Sequence, residues 1–410
     1  MAFLSLLDDR AKPKGSRDPL GFELVWSHFG RKVIGNLTTI TSSMDNFAVA
    51  LLGFYWANQL VTETSDASQH HKQIREAFLR YEQLTGYVRY FGGATDVMGI
   101  TRVKTRLLDD SFNIKLGLSS EQQILSDQAS YGLWGLYSSA ARDTGLIAGN
   151  DRTITGEGES IALLIVAQLG DVAGELLKIL RSEQSLSRDQ LKSIADVFAR
   201  AVRHPTVREP LLHALMSGRD PNGIQRELWT ITQTLFQLDR QSPENVNDFV
   251  LLVLAEKPSV SLTQYLNDII QTERLLVATN NVFNYCRRKD GGDLPEIVNK
   301  LDSHYAYSHL PDELPDDNFP RRESLVRILS AFHQNDASRL LTEVFQLNKD
   351  VMKSRSGAPW VEVEGGKTLR VKVKSEKAEL CGQKEIEQRW DYDYFLGSFL
   401  SIARHHFGTA

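Results

Sequence analysis

The stretch "YGLWGLYSSAARDTGLIAGNDRTITGEGESIALLIVAQLG", Tyr131–Gly170, sets the terms for the fold. Gly145 stands where a helix closes, because glycine takes up the left-handed conformation at a helix C-terminus without penalty. Ala148–Arg152 ("AGNDR") has turn composition. Thr153–Leu164 ("TITGEGESIALL") then gives a short strand, a tight turn and the start of a second helix. Upstream, Ser119 and Gln122 have capping-box spacing, which predicts a helix beginning there. Helix, wing and helix in this order predict a winged-helix-like module over residues 116–170.

Charge decides whether such a module reads DNA. A reading helix presents Arg or Lys to phosphates and base edges. Between Glu121 and Ile165 the basic residues are Arg142 and Arg152, against Glu121, Asp127, Asp143, Asp151, Glu157 and Glu159. That is the wrong sign for a phosphate surface. The segment is therefore expected to be shaped like a DNA reader while packing internally or binding a protein.

Working outward, helical periodicity dominates. Asp18 and Pro19 can open a helix carrying Phe22, Val25, Trp26 and Phe29, and the residues before Asp18 are expected to be loosely held. A strongly apolar helix starts near Asp45, and another spans Ala67–Tyr90. Phe91–Asp110, with several glycines, reads as a loop with a short ordered piece. From Asp171 to about Tyr285 nearly everything is helical, with turn-forming stops at "SEQSLSRDQ", "RHPTVREP", "GRDPNG" and "RQSPEN". "SHLPDELPDDNFP", Ser308–Pro320, is the best linker. A helical pair follows, then "APWVEVEGGKTLRVKVK", which predicts a β-hairpin turning at Glu364-Gly365-Gly366. An aromatic helix ends the chain. The expected fold is mainly α: a multi-helical chain with a winged-helix-like module and a C-terminal β-hairpin. Its expected divisions are residues 1–115, 116–170, 171–310 and 311–410.

Composition sets the limits. The 410 residues are 41% hydrophobic and 24% charged, enough for a sizeable core, and the net charge of −5 provides no global attraction to nucleic acid. Cys286 and Cys381 are too few for a disulfide framework. "MAFLSLLDDR" lacks the basic and apolar regions of a signal peptide. The longest apolar run, "SIALLIVAQLG", is too short to span a bilayer and fits a buried helix. A cytoplasmic protein with no membrane contact is expected.

Local basic patches are the candidate nucleic-acid sites. Lys72–Arg106 holds seven basic residues, Arg102, Lys104 and Arg106 among them, against three acids, with aromatics interleaved. Basic plus aromatic character suits backbone contact and base stacking, or simply a solvated helix face. On the hairpin, Arg370, Lys372 and Lys374 alternate with Leu369, Val371 and Val373. They form either a phosphate-binding stripe or a protected strand edge. A catalytic candidate is Arg208 and His213, whose R-x4-H spacing occurs in helical HEPN ribonucleases, although Pro210 between them points to a helix starting there. The pairs His70–His71 and His405–His406 lack the partners of a metal site. Phosphate-loop, Rossmann and Ser-His-Asp patterns are absent, and "WVEVEGGKTLRVKVK" does not have the spacing of a restriction-type nuclease. No metal or cofactor is expected.

Two segments together, "DPLGFELVWSHFGRKVIGNLTTIT" and "YGLWGLYSSAARDTGLI…TITGEGESIA", resemble a diffuse group of helical bacterial proteins encoded near genome-defence genes. In that group a "DPLG … GLT" opening precedes a winged-helix-like segment. Here "GNLT" stands in place of "PGLT", and about a fifth of the chain is covered. The resemblance implies a non-enzymatic subunit beside an ATPase or nuclease in anti-phage or anti-plasmid defence, and it transfers no catalytic residue. The expected function is thus a scaffold or adaptor subunit of a multi-protein nucleic-acid-handling complex. A HEPN-like ribonuclease and a winged-helix transcriptional regulator are the alternatives.

Overall fold

Helices dominate the chain, as the periodicity predicts. The computed structural model describes residues 18–61, 66–109, 113–182, 185–237, 243–302, 309–375 and 379–408. The expectation for the residues before Asp18 lies outside this range. The chain divides into two compact units, each assembled from separated segments. One holds the chain up to Val33 and Pro243–Tyr394, and the other holds Ile34–Ser242 and Phe395 onward. Elements are numbered in chain order.

The first unit contains α1 (Glu23–Arg31), α13 (Val246–Ala255), α14 (Val260–Cys286), α15 (Leu294–Asp302), α16 (Arg322–His333), α17 (Ala337–Ser354), β3 (Val361–Glu364), β4 (Thr368–Val371) and α18 (Gln383–Gln388). The long α14 is its axis, contacted by α1, α13, α16, α17 and α18. Ser259 caps α14 by accepting the Leu262 N–H, after a break at Glu256–Ser259 that the helical pattern does not reveal. Asp18 does serve the first helix, but at a distance. Its carboxylate accepts the N–H groups of Phe22 (2.7 Å) and Glu23 (3.2 Å), with a turn at Pro19–Gly21 between them.

The expected linker is not one. Leu310, Leu314 and Phe319 are buried, and Asp317 accepts from His28 (2.7 Å) and from Lys32. Those two partners hold the Asp317 carboxyl down to about 2. The apolar residues spaced among the prolines outweigh the polar composition, so the boundary expected at residue 310 falls inside a packed unit.

The second unit contains α2 (Met44–Leu60), α3 (Ala67–Phe91), α4 (Ile100–Leu108), α5 (Gln128–Tyr131), α6 (Leu133–Leu136), α7 (Ser138–Thr144), β1 (Ile147–Ala148), β2 (Thr153–Ile154), α8 (Gly156–Leu169), α9 (Asp171–Arg181), α10 (Arg188–Arg203), α11 (Pro205–Ser217), α12 (Ile224–Gln237) and α19 (Leu396–Phe407). Helix α2 is apolar nearly all round and is buried from Met44 to Ala57, which makes it the central helix. It packs on α3 where Gly53 faces the Tyr81 and Phe78 rings; a Cβ there would lie 2.5 Å from Tyr81. The Tyr81 hydroxyl donates to the Val49 carbonyl at 2.9 Å, so the phenol is buried and satisfied.

The polar residues of α3 organise the chain on its C-terminal side. Glu82, 2% exposed, accepts from the Leu133 N–H (2.6 Å) and the Gln128 amide (2.9 Å). Gln83 exchanges two hydrogen bonds with the Gly117 backbone, at 2.7 and 2.9 Å. Arg89 donates to Asn46 (2.6 Å) and Asp96 (2.8 Å). The helix expected at Ser119 is only a turn. Gln122 still reaches back to the Ser119 N–H, but the chain then bends to place Gln128 against Glu82.

From Gln128 to Gly170 the structure shows two four-residue helices, the seven-residue α7, an antiparallel hairpin with two-residue strands, and α8. Gly145 ends α7 at φ +83° as expected. Helix α8 is buried on one side only, and Leu163 is 46% exposed. Among the described residues no single helix is long and apolar enough to cross a membrane; α8 and α9 together have the length but bend by 105° at Gly170.

Two buried carboxyls give the fold a pH signature. Burial raises Glu82 from its ordinary 4.5 to about 7, and burial raises Glu273 of α14 to about 8. Both groups bind more protons folded than unfolded. The stability they contribute is fully present below the unfolded value and is lost as pH rises through 7 to 8. The unfolding midpoint is expected to fall across that window, and Glu82→Gln with Glu273→Gln should flatten the fall. An unchanged slope in the double variant, followed by thermal melts at several pH values, would count against this assignment.

Candidate functional site

The β3–β4 hairpin forms in the expected place, and Gly365 and Gly366 both adopt positive φ in its turn. Its alternation is also as expected: Leu369 and Val371 are buried, while Arg370 and Lys372 are outside. The stripe is not an open cationic surface, however. Arg370 lies 3.6 Å from Glu364, Lys372 lies 2.6 Å from Glu362, and Lys374 lies 3.0 Å from Asp290. The Val371 N–H and the Lys374 ammonium hold the Asp290 carboxyl below its usual range. Each cation of the stripe therefore has a carboxylate beside it, and the three offer little net positive field to a phosphate.

The second basic set lies on α4, a regular helix where a mostly loop-like segment was expected. Arg102 donates to the Gln123 carbonyl at 2.9 Å. Arg106 donates to the Gln122 (3.1 Å), Gln123 (2.9 Å) and Glu121 carbonyls and to the Tyr87 hydroxyl (3.2 Å). Both guanidiniums thus hold the 121–123 turn, and only Lys104 of the three is exposed.

Arg208 and His213 share α11, which begins at Pro205 with His204 as its cap; Pro210 lies inside the helix and does not start it. Five residues place them about 140° apart around the axis. Arg208 bonds Asp45 (3.2 Å) and the His405 ring (3.0 Å), while His213 is exposed beside Ser217. The structure does not bring the pair together.

A different site emerges next to the hairpin. The Val371 N–H donates to Asp290 (2.9 Å), the Leu369 N–H to Gly292 (2.9 Å), and the Gly291 N–H to the Leu369 carbonyl (2.8 Å). These backbone groups face away from β3. Their cross-strand partners, Val361 and Val363, consequently turn their own N–H and C=O groups outward from the ladder. No strand pairs with that outer edge among the described residues. A groove of about 670 Å³ runs along it, lined by all four β3 residues, by Leu341 and Phe345 of α17, and by Leu294 and Val298 of α15. Its lining is mixed, with Ser338, Thr342, Gln346, Glu362 and Glu364 beside those apolar residues. Lys349 stands on its rim and, unlike Arg370 and Lys372, makes no ion pair among the described residues. The i, i+4 and i, i+3 spacing of the α17 wall was visible in the sequence, but the open strand edge was not.

No protein-family model, no curated protein and no solved structure matches this chain.

Arg106→Ala should cost about 2–3 kcal/mol, because the 121–123 carbonyls lose a charged donor. Lys104→Ala should stay within about 0.5 kcal/mol. Chemical denaturation distinguishes the two. Replacing Arg370, Lys372 and Lys374 together by Ala should leave the salt dependence of any duplex-DNA binding unchanged. A flatter slope in that variant would restore the stripe as a phosphate contact.

Proposed function

We propose that this chain is an adaptor subunit that holds a partner protein by an extended segment laid along β3. The observation that carries this is the outward-facing backbone of Val363, 38% exposed, beside a groove of mixed polar and apolar lining; Val361 on the same edge is buried. Added strands bind in this way: main-chain hydrogen bonds supply affinity, and pockets for alternate side chains supply specificity. The occupant is a short peptide with apolar residues at alternate positions and a carboxylate that meets Lys349. The groove volume lies within the usual range for ligand sites, and four residues of strand match the length of β3.

The resemblance to helical proteins encoded near genome-defence genes supports placing that partner in a nucleic-acid-handling assembly. It also supports keeping the winged-helix-like reading of residues 116–170 within this proposal. The hairpin between α7 and α8 agrees with that reading.

Peptides with alternating apolar residues, selected on the purified chain by display, test the groove. Val363→Pro removes the outward N–H while leaving the β3–β4 ladder its own bonds, and proline is tolerated on such an edge. The selected peptides should bind this variant roughly tenfold more weakly, equivalent to ~1.4 kcal/mol. Lys349→Glu should shift selection away from acidic peptides. Equal binding to the wild type and Val363→Pro would overturn the proposal.

A further inference from the structure

The second unit gathers three arginines that are far apart in the sequence. Arg152 sits on the β1–β2 hairpin with φ +55°, an uncommon conformation for a non-glycine residue, and Asn58 of α2 donates to its carbonyl at 3.2 Å. Its guanidinium is fixed on three sides. The Nε donates to Ser138 Oγ (2.6 Å), Nη1 donates to the Asn150 carbonyl (2.8 Å), and the plane lies 3.9 Å from the Trp134 ring centroid. That leaves Nη2 without a protein partner among the described residues.

Two helices bring further charge to this point. Ser138 and Arg142 are one turn apart on α7, so the face that holds Arg152 also carries Arg142. His71 and Arg75 are likewise one turn apart on α3, and His71 reaches the hairpin through Asp151 (3.1 Å) and the Trp134 ring (5.9 Å). Arg75 and Arg142 make no ion pair among the described residues. Burial first, and then the like charges of Arg142 and Arg75, lower Arg152 to about 10. Unpaired like charges held together, with donors to spare, are the arrangement that a bound oxyanion stabilises.

We infer that Arg75, Arg142 and Arg152 form a binding site for a single phosphate group of a small ligand. The surroundings decide against a nucleic-acid backbone. Asp143, Asp151, Glu157 and Glu159 lie on the same hairpin and its flanking helices. A compact phosphate needs only the few donors that these arginines can supply, whereas a polyanion running across the hairpin would meet those carboxylates.

Calorimetric titration with inorganic phosphate tests the site on the whole chain. Saturable binding is expected, weakened about tenfold by Arg142→Gln and by Arg75→Gln and unchanged by Lys104→Ala. Arg152 is left intact because its contacts also anchor the hairpin, and thermal melts confirm that each variant is folded. No saturable binding by the wild type, or wild-type affinity in either arginine variant, overturns the inference. A generic DNA duplex forms the second arm. Duplex binding that depends on Arg142 and is not displaced by saturating phosphate would reassign the cluster to nucleic acid.

Discussion

The second unit depends on a carboxylate that water cannot reach. A buried carboxylate is tolerated only when its oxygens find donors, and Glu82 finds them in the Leu133 N–H and the Gln128 amide. Those two bonds fix where α5 ends and α6 begins. Gly132 stands between them, where a Cβ would come within 2.5 Å of the carboxylate, so the close approach needs glycine. From α6 onward, Trp134 meets Phe54 and Phe78, and Ser138 receives Arg152. One ionisable side chain on α3 thus sets the register of the segment that carries the hairpin.

Arginine in this protein serves mainly as a cross-link. Arg89, Arg102, Arg106, Arg203, Arg208 and Arg355 each bind carbonyls, carboxylates or amides within their own unit. The planar guanidinium, with five donors, suits that work better than the ammonium of lysine. Counting positive charge along the sequence therefore overstates what reaches a ligand. Arg102 and Arg106 read as a basic face and are in fact bonded to a turn. The converse also holds: Arg142 and Arg152 look isolated among acids in the sequence, yet tertiary contacts bring Arg152 to Ser138 of α7 and the hairpin to His71 of α3.

Much of the architecture was legible. Periodicity gave α2, α3, the helices after Asp171, the α16–α17 pair and the hairpin, because each depends on local residue order. Gly145 and Asp18 were legible as helix ends for the same reason. The features that escaped the sequence depend on long-range contact. The burial of Leu310, Leu314 and Phe319 turns an apparent linker into packed chain. Pro210 lies inside α11 because His204 and Pro205 had already started the helix. Residues 290–292 bond the far edge of β4, and no local pattern announces that pairing.

The interleaved composition of the two units bears on how the chain is made. Residues up to Val33 belong with partners that begin at Pro243, and the second unit, whose larger part is Ile34–Ser242, is completed only by Phe395 onward. At the usual pace of synthesis, about 5–20 residues per second, roughly 10–40 s pass before the rest of its unit begins to be made. Throughout that interval the apolar face of α1, with Phe22, Val25 and Phe29, has no core to enter. Slowed translation would lengthen the exposure, so chaperone demand should track the speed of the ribosome more closely than the stability of the finished fold.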